Sequence, residues 1–428
     1  MPSCRFVVCT PFLILTVLLP LAAWADWPQW RGPNRDDIST EIGLQSAWTE
    51  DGPRRVWMFE DCGVGYSGPA IVGDRIYTLG GRNGEEQLIC LDTANGEQVW
   101  STPLGPIYEN DWGDGPRSTP TVDGKMIYAL AAGGNLVCLR TADGSVVWTK
   151  AMQDLGGEIP TWGFAESPLV LEDRVLCTPG GEQGAIAALD KSTGELLWQC
   201  QDVTDRAHYS SLVIMEHAGK TAAVQLLEKQ LVGLDAADGA LLWTTPWAGR
   251  VAVIPTPIVR GNQVYATSGY GAGCLLVTIG DDQSVERVYE NKVMSDHHGG
   301  VILVGDHVYG HSDNKGWTCQ DFATGKKTWQ DKEVFGKGSI ACANGLFYCL
   351  SEDEGEVALV AASTEGWLEQ GRFKLEPQTE LRKPRGKIWT HPVVDGGRLY
   401  LRDQNLLYCY NVANKKLATR PVGGTRSE

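Results

Sequence analysis

The chain has 428 residues, a formal charge of −16, 51 Gly and 16 Trp. This acidity excludes nucleic acid and anionic membrane surfaces as natural partners. Short alternating apolar runs, without a sustained helical period, point to an all-β chain whose length one ring-shaped domain can use up.

Arg5 is the only charge before an apolar run from Phe6 to Ala23. The run ends in Ala23-Trp24-Ala25, a small-x-small cleavage pattern, so residues 1–25 read as a signal peptide with Asp26 as the mature start. No Cys follows the run, so a lipid anchor is not expected. Beyond it no apolar stretch is long enough to cross a membrane. The expected location is therefore the periplasm or the medium. Residues 26–55 are rich in Pro, Gly and charge and read as an irregular wrap. Arg55-Val56-Trp57-Met58-Phe59 then reads as an outermost strand with no earlier strands of its own.

Two frames fill the rest. The first is Asp-x-x-x-Gly-x-x-x-Trp, at Asp92, Gly96, Trp100; at Asp190, Gly194, Trp198; at Asp235, Gly239, Trp243; and at Asp321, Gly325, Trp329. Arg140, Gly144, Trp148 differs only at its first position. The spacing is about 45 residues, the period of propeller blades. An Asx-type bond and a left-handed Gly would close a turn between two strands, with the Trp burying on the strand that leaves it. The second frame, Pro-x-x-x-Gly followed four residues later by Tyr, begins at Pro69, Pro120, Pro257 and Pro392, with looser copies at Pro168, Ser211, Val301 and Ala341. It reads as strand, tight turn, strand. Together the frames give four strands per repeat and eight repeats.

Two repeats are degenerate. Asp281 is followed by Val285 and Tyr289, which loses the turn Gly, and register fails around Glu365 to Phe373. Pro392 to Val412 supplies only three strands, so the N-terminal strand is expected to complete the eighth blade and remove the free sheet edges. Residues 26–418 then form one eight-bladed propeller, with a disordered tail over 419–428. Cys4 and Cys9 leave with the leader. Cys90, Cys138 and Cys319 occupy a column held by Ala188 and Gly233 in sister repeats, so the column asks for a small buried residue and the Cys are read as core.

The first frame resembles the tryptophan-docking repeat of PQQ-type β-propellers, a superfamily that holds the quinoprotein dehydrogenases and BamB, the propeller subunit of the outer-membrane assembly machine. Trp27-Pro-Gln-Trp-Arg-Gly-Pro33 resembles the opening motif of secreted PQQ-like propellers, some of them labelled polyvinyl-alcohol dehydrogenases. The resemblance covers nearly all of the chain after the leader. It implies fold more than chemistry, because such tryptophans join blades in binders and enzymes alike. The missing lipid-attachment Cys departs from BamB. The missing pair of adjacent Cys departs from many quinoprotein alcohol dehydrogenases.

In a propeller the residues before each inner strand meet at one mouth of the channel. Here they include Arg117, Trp162, Glu166, His208, His297, His298, Lys337, Trp389 and His391. Four of the seven His fall in this zone, whereas random placement would scatter them. Trp162 and Trp389 offer stacking faces for a sugar or peptide. If PQQ bound, it would want a stacking Trp, cations for its carboxylates and a Ca²⁺ with oxygen ligands. Arg117, Lys337, Trp162, Glu166 and Asp296 are of those types. A single ion cannot join His208 and His391, which fall on opposite blades. The same groups would also serve simply to fill a wet channel. The reading taken is a BamB-like binding or scaffold propeller of the cell envelope, with a protein, peptide or carbohydrate ligand at the mouth and no catalytic residues. The alternative is a PQQ- and Ca²⁺-dependent alcohol dehydrogenase.

Overall fold

A computed structural model describes residues 26–414. The expected leader (1–25) and tail (419–428) lie outside them. The Asp of the first frame closes the turn as its spacing requires. The Asp92 carboxylate accepts from the N–H of Ala94 at 2.8 Å, and Gly96 N–H donates to the Asp92 carbonyl at 2.9 Å. Asp190, Asp235 and Asp321 repeat the pattern. Gly96 has φ 75°, a conformation that costs a residue with a Cβ.

Among the described residues the strands form seven sheets of four and one of five. The first blade, from inner to outer strand, is Ala70–Val72, Arg75–Arg82, Glu85–Asp92 and Gln98–Pro106, antiparallel throughout. The eighth consists of Val393–Asp395, Arg398–Asp403 and Leu406–Asn411, with Arg55–Phe59 as its outer strand and Trp57 opposite Cys409. The N-terminal strand therefore closes the ring. Arg402, fully buried, ties the same seam by donating to the Ser67 carbonyl and the Thr78 hydroxyl of the first blade.

One contact repeats around the ring. Trp57 lies where a Cβ on Gly96 of the next blade would stand, and its indole N–H donates to the Thr93 carbonyl at 3.0 Å. Trp148 and Trp198 meet Gly194 and Gly239 in the same way, donating to the carbonyls of Lys191 and Ala236. Trp100 covers Gly144. Where the frame is degenerate, other groups take over the seam. Tyr289 packs on Gly325 and donates to the Phe322 carbonyl, Phe373 packs on Gly52, and Arg287 reaches Thr245 and Pro246 of the fourth blade, where no turn Gly faces Trp243. The seventh blade keeps its outer strand, Leu368–Lys374, with a bulge between Leu359 and Val360. The loss of register in its sequence is therefore local.

The Cys column follows from cross-strand register. Cys90, Cys138, Ala188, Gly233, Cys319 and Cys409 stand directly opposite Trp100, Trp148, Trp198, Trp243, Trp329 and Trp57. Each indole folds across its partner, so only a small side chain fits beneath it. The ten described Cys are all buried and unpaired.

Residues 27–39 depart from the expected wrap: they run inside the channel. The Asp26 carboxylate accepts from Gly73 N–H at the turn side of the first blade, and Trp27 bridges Ile71. The chain climbs to Trp30, whose indole N–H donates to the Thr256 hydroxyl of the fifth blade at 3.0 Å. It reverses and leaves as Ile38–Ser39, paired in parallel with the inner strand Gly338–Ala343 of the seventh blade. Two buried cations hold this plug. Arg31 pairs with Asp37 at 3.0 Å and donates to the Val301 carbonyl at 2.6 Å, while Arg35 donates to the carbonyls of Ser167 and Pro168. A channel lined by strand edges has backbone groups to satisfy, and the plug supplies partners for some of them.

Trp57→Ala should lower the free energy of unfolding by about 3–5 kcal/mol, as a buried aromatic truncation does. Cys138→Ala should cost only about 1 kcal/mol, because Ala is native to that column at position 188. Guanidinium unfolding of the two variants checks the contrast.

Candidate functional site

The loops that join each outer strand to the next inner strand gather at the end of the channel away from Asp26. There they enclose a cavity of about 190 Å³ above the plug. Arg117, Trp162, His297, His298, Trp389 and His391 line it. The other three residues expected there stand behind the wall. Glu166 turns back to its own blade, where Thr178 donates to it through backbone and hydroxyl. Burial, against those hydrogen bonds, raises its carboxyl to about 7. His208 accepts from Val253 N–H at 3.2 Å. Lys337 pairs with Asp313 at 2.9 Å and donates to His297 Nδ1 at 2.5 Å.

The rest of the lining is largely aromatic. Tyr66 and Tyr209 precede inner strands, as the spacing places them at the mouth. Spacing missed three rings: Trp112 stands earlier in the loop that carries Arg117, Tyr270 comes from the turn between Gln263–Ser268 and Gly273–Ile279, and Trp30 comes from the plug. The rings form two walls. Trp162 and Tyr209, at the third and fourth blades, have centroids 5.6 Å apart. Trp389 and Tyr66, at the eighth and first, are 5.1 Å apart. In a ring of eight these walls are centred three blades apart on one side of the channel and five on the other. Trp30 lies 4.6 Å from the ring of His391 and floors the space.

The polar groups sit between the walls. Arg117, on the second blade, donates to the carbonyls of Gly113 and Gly115 and lies over Tyr66 at 5.6 Å and Tyr108 at 5.5 Å. Burial lowers its pKa. On the sixth blade, His297 is brought down to about 3, first by burial and then by its neighbours His298 and Lys337. It is therefore neutral, with Nδ1 accepting from Lys337 and the proton on Nε2. His298 hydrogen-bonds Glu352 through Nε2, and its Nδ1 has no partner. Burial lowers His298 against the pull of Glu352. For Glu352, burial works upward, but His298, Lys337 and the Trp389 N–H outweigh it and bring the carboxyl to about 2. Glu352 is thus the charged member, beside a neutral His298 that keeps its Nε2 proton. His391 bridges Asp37 of the plug, at 3.2 Å, and the His298 carbonyl, at 3.0 Å.

Gly299 and Gly300 do not open the backbone to a ligand. A Cβ on Gly299 would stand 1.9 Å from the Gly338 carbonyl oxygen, and one on Gly300 would stand 3.0 Å from His391. Gly299 lets the sixth and seventh inner strands approach, and Gly300 makes room for His391 and the plug.

The donor set can be tested against PQQ and Ca²⁺. No carboxylate lines the cavity among the described residues, Glu166 is sequestered, and Asp296 is fully buried with its carboxyl raised by burial and then by Asp313. A hard cation needs several oxygen ligands. A tricarboxylate needs more positive charge than Arg117, because Lys337 is already paired. These residues do not fit that cofactor pair. Among the described residues, no group of three or more His, Cys, Asp or Glu is placed to hold a metal ion.

Fold and repeat together define a PQQ-like β-propeller with an aromatic cavity over a plugged channel. The chain belongs to the family described as outer membrane protein assembly factor BamB, whose profile matches residues 45–154 and 106–331. BamB from Moraxella catarrhalis is similar in structure, with a TM-score of 0.58 at 17% identity over 82% of this chain and 95% of that one. Quinohemoprotein alcohol dehydrogenase from Comamonas testosteroni gives a TM-score of 0.61 at 12% identity, over 92% of this chain and 81% of that one. The computationally designed Ika8 protein gives 0.56 at 11%, over 88% and 99%. At such identities these likenesses establish the fold alone. No curated protein matches the sequence.

The buried histidines set an acid limb of stability. His297 and His311, at about 3 and about 4, bind protons in the unfolded chain near pH 6.5 but not in the folded one. Their contribution is present above pH 6.5 and is lost as pH falls toward those values. His311→Phe keeps the ring against Trp317 and removes one such site. Urea unfolding between pH 7 and 4 should show a shallower fall in this variant than in the parent.

Proposed function

We propose that this protein is a non-catalytic binding propeller of the cell envelope that holds its ligand in the mouth cavity. The observation that carries this reading is the composition of the wall: seven aromatic side chains, three His, one Arg and no Asp or Glu. Such a surface stacks and orients a ligand. Membership of the BamB family supports a binding role, and the leader read at residues 1–25 supports export. No helix among the described residues is long and apolar enough to cross a membrane. Protein recovered from an envelope fraction should begin at Asp26 by intact mass.

Two measurements test the binding reading. Protein incubated with PQQ and Ca²⁺ and then desalted should retain no quinone absorbance and show no dye-linked alcohol oxidation. Retained quinone with turnover would replace this reading by the quinoprotein one. Separately, Trp389→Ala should change the guanidinium midpoint little, since its ring is only partly buried, whereas Trp198→Ala should cost about 3–5 kcal/mol. Equal losses would make the mouth residues part of the packing rather than a site.

A further inference from the structure

The mouth cavity has a shape and a charge that narrow its ligand, and the inference drawn from them rests on the binding reading above. Its two aromatic walls stand on different sides of the channel, three blades apart by the shorter way. Between them, the polar groups stand at two ends, Arg117 on the second blade and the His297–His298 pair on the sixth. This arrangement fits a flat ring with apolar faces and a hydrogen-bonding edge. The cavity is small, about 190 Å³, which suits a single ring better than an extended chain.

Charge removes the competitors. A cation in an aromatic cage would meet the Arg117 guanidinium. A polyanion would find one cation, already engaged by two carbonyls. On the sixth blade the polar group left for a ligand is the neutral His297 imidazole with its donor Nε2–H, since His298 is committed to Glu352 and its Nδ1 is buried. A sugar hydroxyl can accept from that N–H.

We propose that the mouth cavity binds a neutral saccharide, one pyranose ring lying between Trp162 with Tyr209 and Trp389 with Tyr66, its hydroxyls directed to Arg117 and to His297. The aromatic walls supply the stacking faces and the two polar ends orient the ring.

The test titrates the intact protein with neutral disaccharides (cellobiose, maltose, xylobiose and di-N-acetylchitobiose), following tryptophan fluorescence and saturation-transfer NMR of the sugar. At least one should give saturable quenching with transfer to ring protons. Trp389→Ala and Trp162→Ala, one on each wall, should each weaken it about tenfold or more, the equivalent of about 1.4 kcal/mol. His297→Phe should weaken it while leaving the guanidinium midpoint near that of the parent. Absence of saturable binding by all four sugars at tens of millimolar overturns the saccharide inference. So does quenching by a short peptide that the wall variants abolish, though that result keeps the mouth as the ligand site. Sugar binding that both wall variants leave unchanged overturns the inference and the mouth reading together.

Discussion

An aromatic ring over a left-handed glycine holds this propeller together. At each such seam the glycine is required twice, once because its φ is positive and once because the neighbouring ring fills the space of a Cβ. The indole N–H then finds a carbonyl in the same turn, so a large apolar area is buried with no polar group stranded. The contact lies between blades, which lets each blade keep its own antiparallel hydrogen bonding. Substitution at a seam is tolerated when the replacement meets the same two needs, as Tyr289 does with its ring and its hydroxyl.

The site depends on the ring for its geometry and on the plug for its floor. The walls take their rings from loops far apart in sequence, and only closure brings them around one cavity. Trp30 reaches the cavity because Arg31 and Asp37 pair beneath it, and His391 links that pair to the backbone of His298. Plug, sixth blade and eighth blade therefore share one buried polar network under the cavity. Such a network fixes its members in position when all are satisfied. Two of its atoms, the Nδ1 of His298 and the Nη1 of Arg31, are left without a hydrogen-bond partner.

The fold was legible because its determinants are local. A Trp four residues after a turn Gly needs no knowledge of the rest of the chain, and neither does a small residue opposite an indole. The site was legible only in part. Position before an inner strand located Trp389, Arg117 and His298, but it does not say which way a side chain turns. Glu166 turns toward Thr178 on the next strand, and His208 turns toward Val253. Trp30 could not be placed from spacing, because its position follows from residues 27–39 entering the channel. Nothing in a Pro- and Gly-rich composition distinguishes a wrap from a plug. The buried cations Arg31 and Arg35 were the available signal: two Arg close together beside Asp36 and Asp37 suit a segment that must carry its own counter-charge inward.

The plug also bears on the order in which the molecule is assembled. Its partners on the eighth blade, and the strands that Arg55–Phe59 completes, lie more than 300 residues downstream. The plug and the strand after it must wait for the eighth blade to be made before either is secured. A chain cut short before His391 would lack both the mate of its first long strand, Leu406–Asn411, and the His391 anchor of its plug. Such a product would expose edges and a vacant channel together, a form that quality-control proteases can recognise. Completion is thus checked by topology: the ring locks only around a full-length chain.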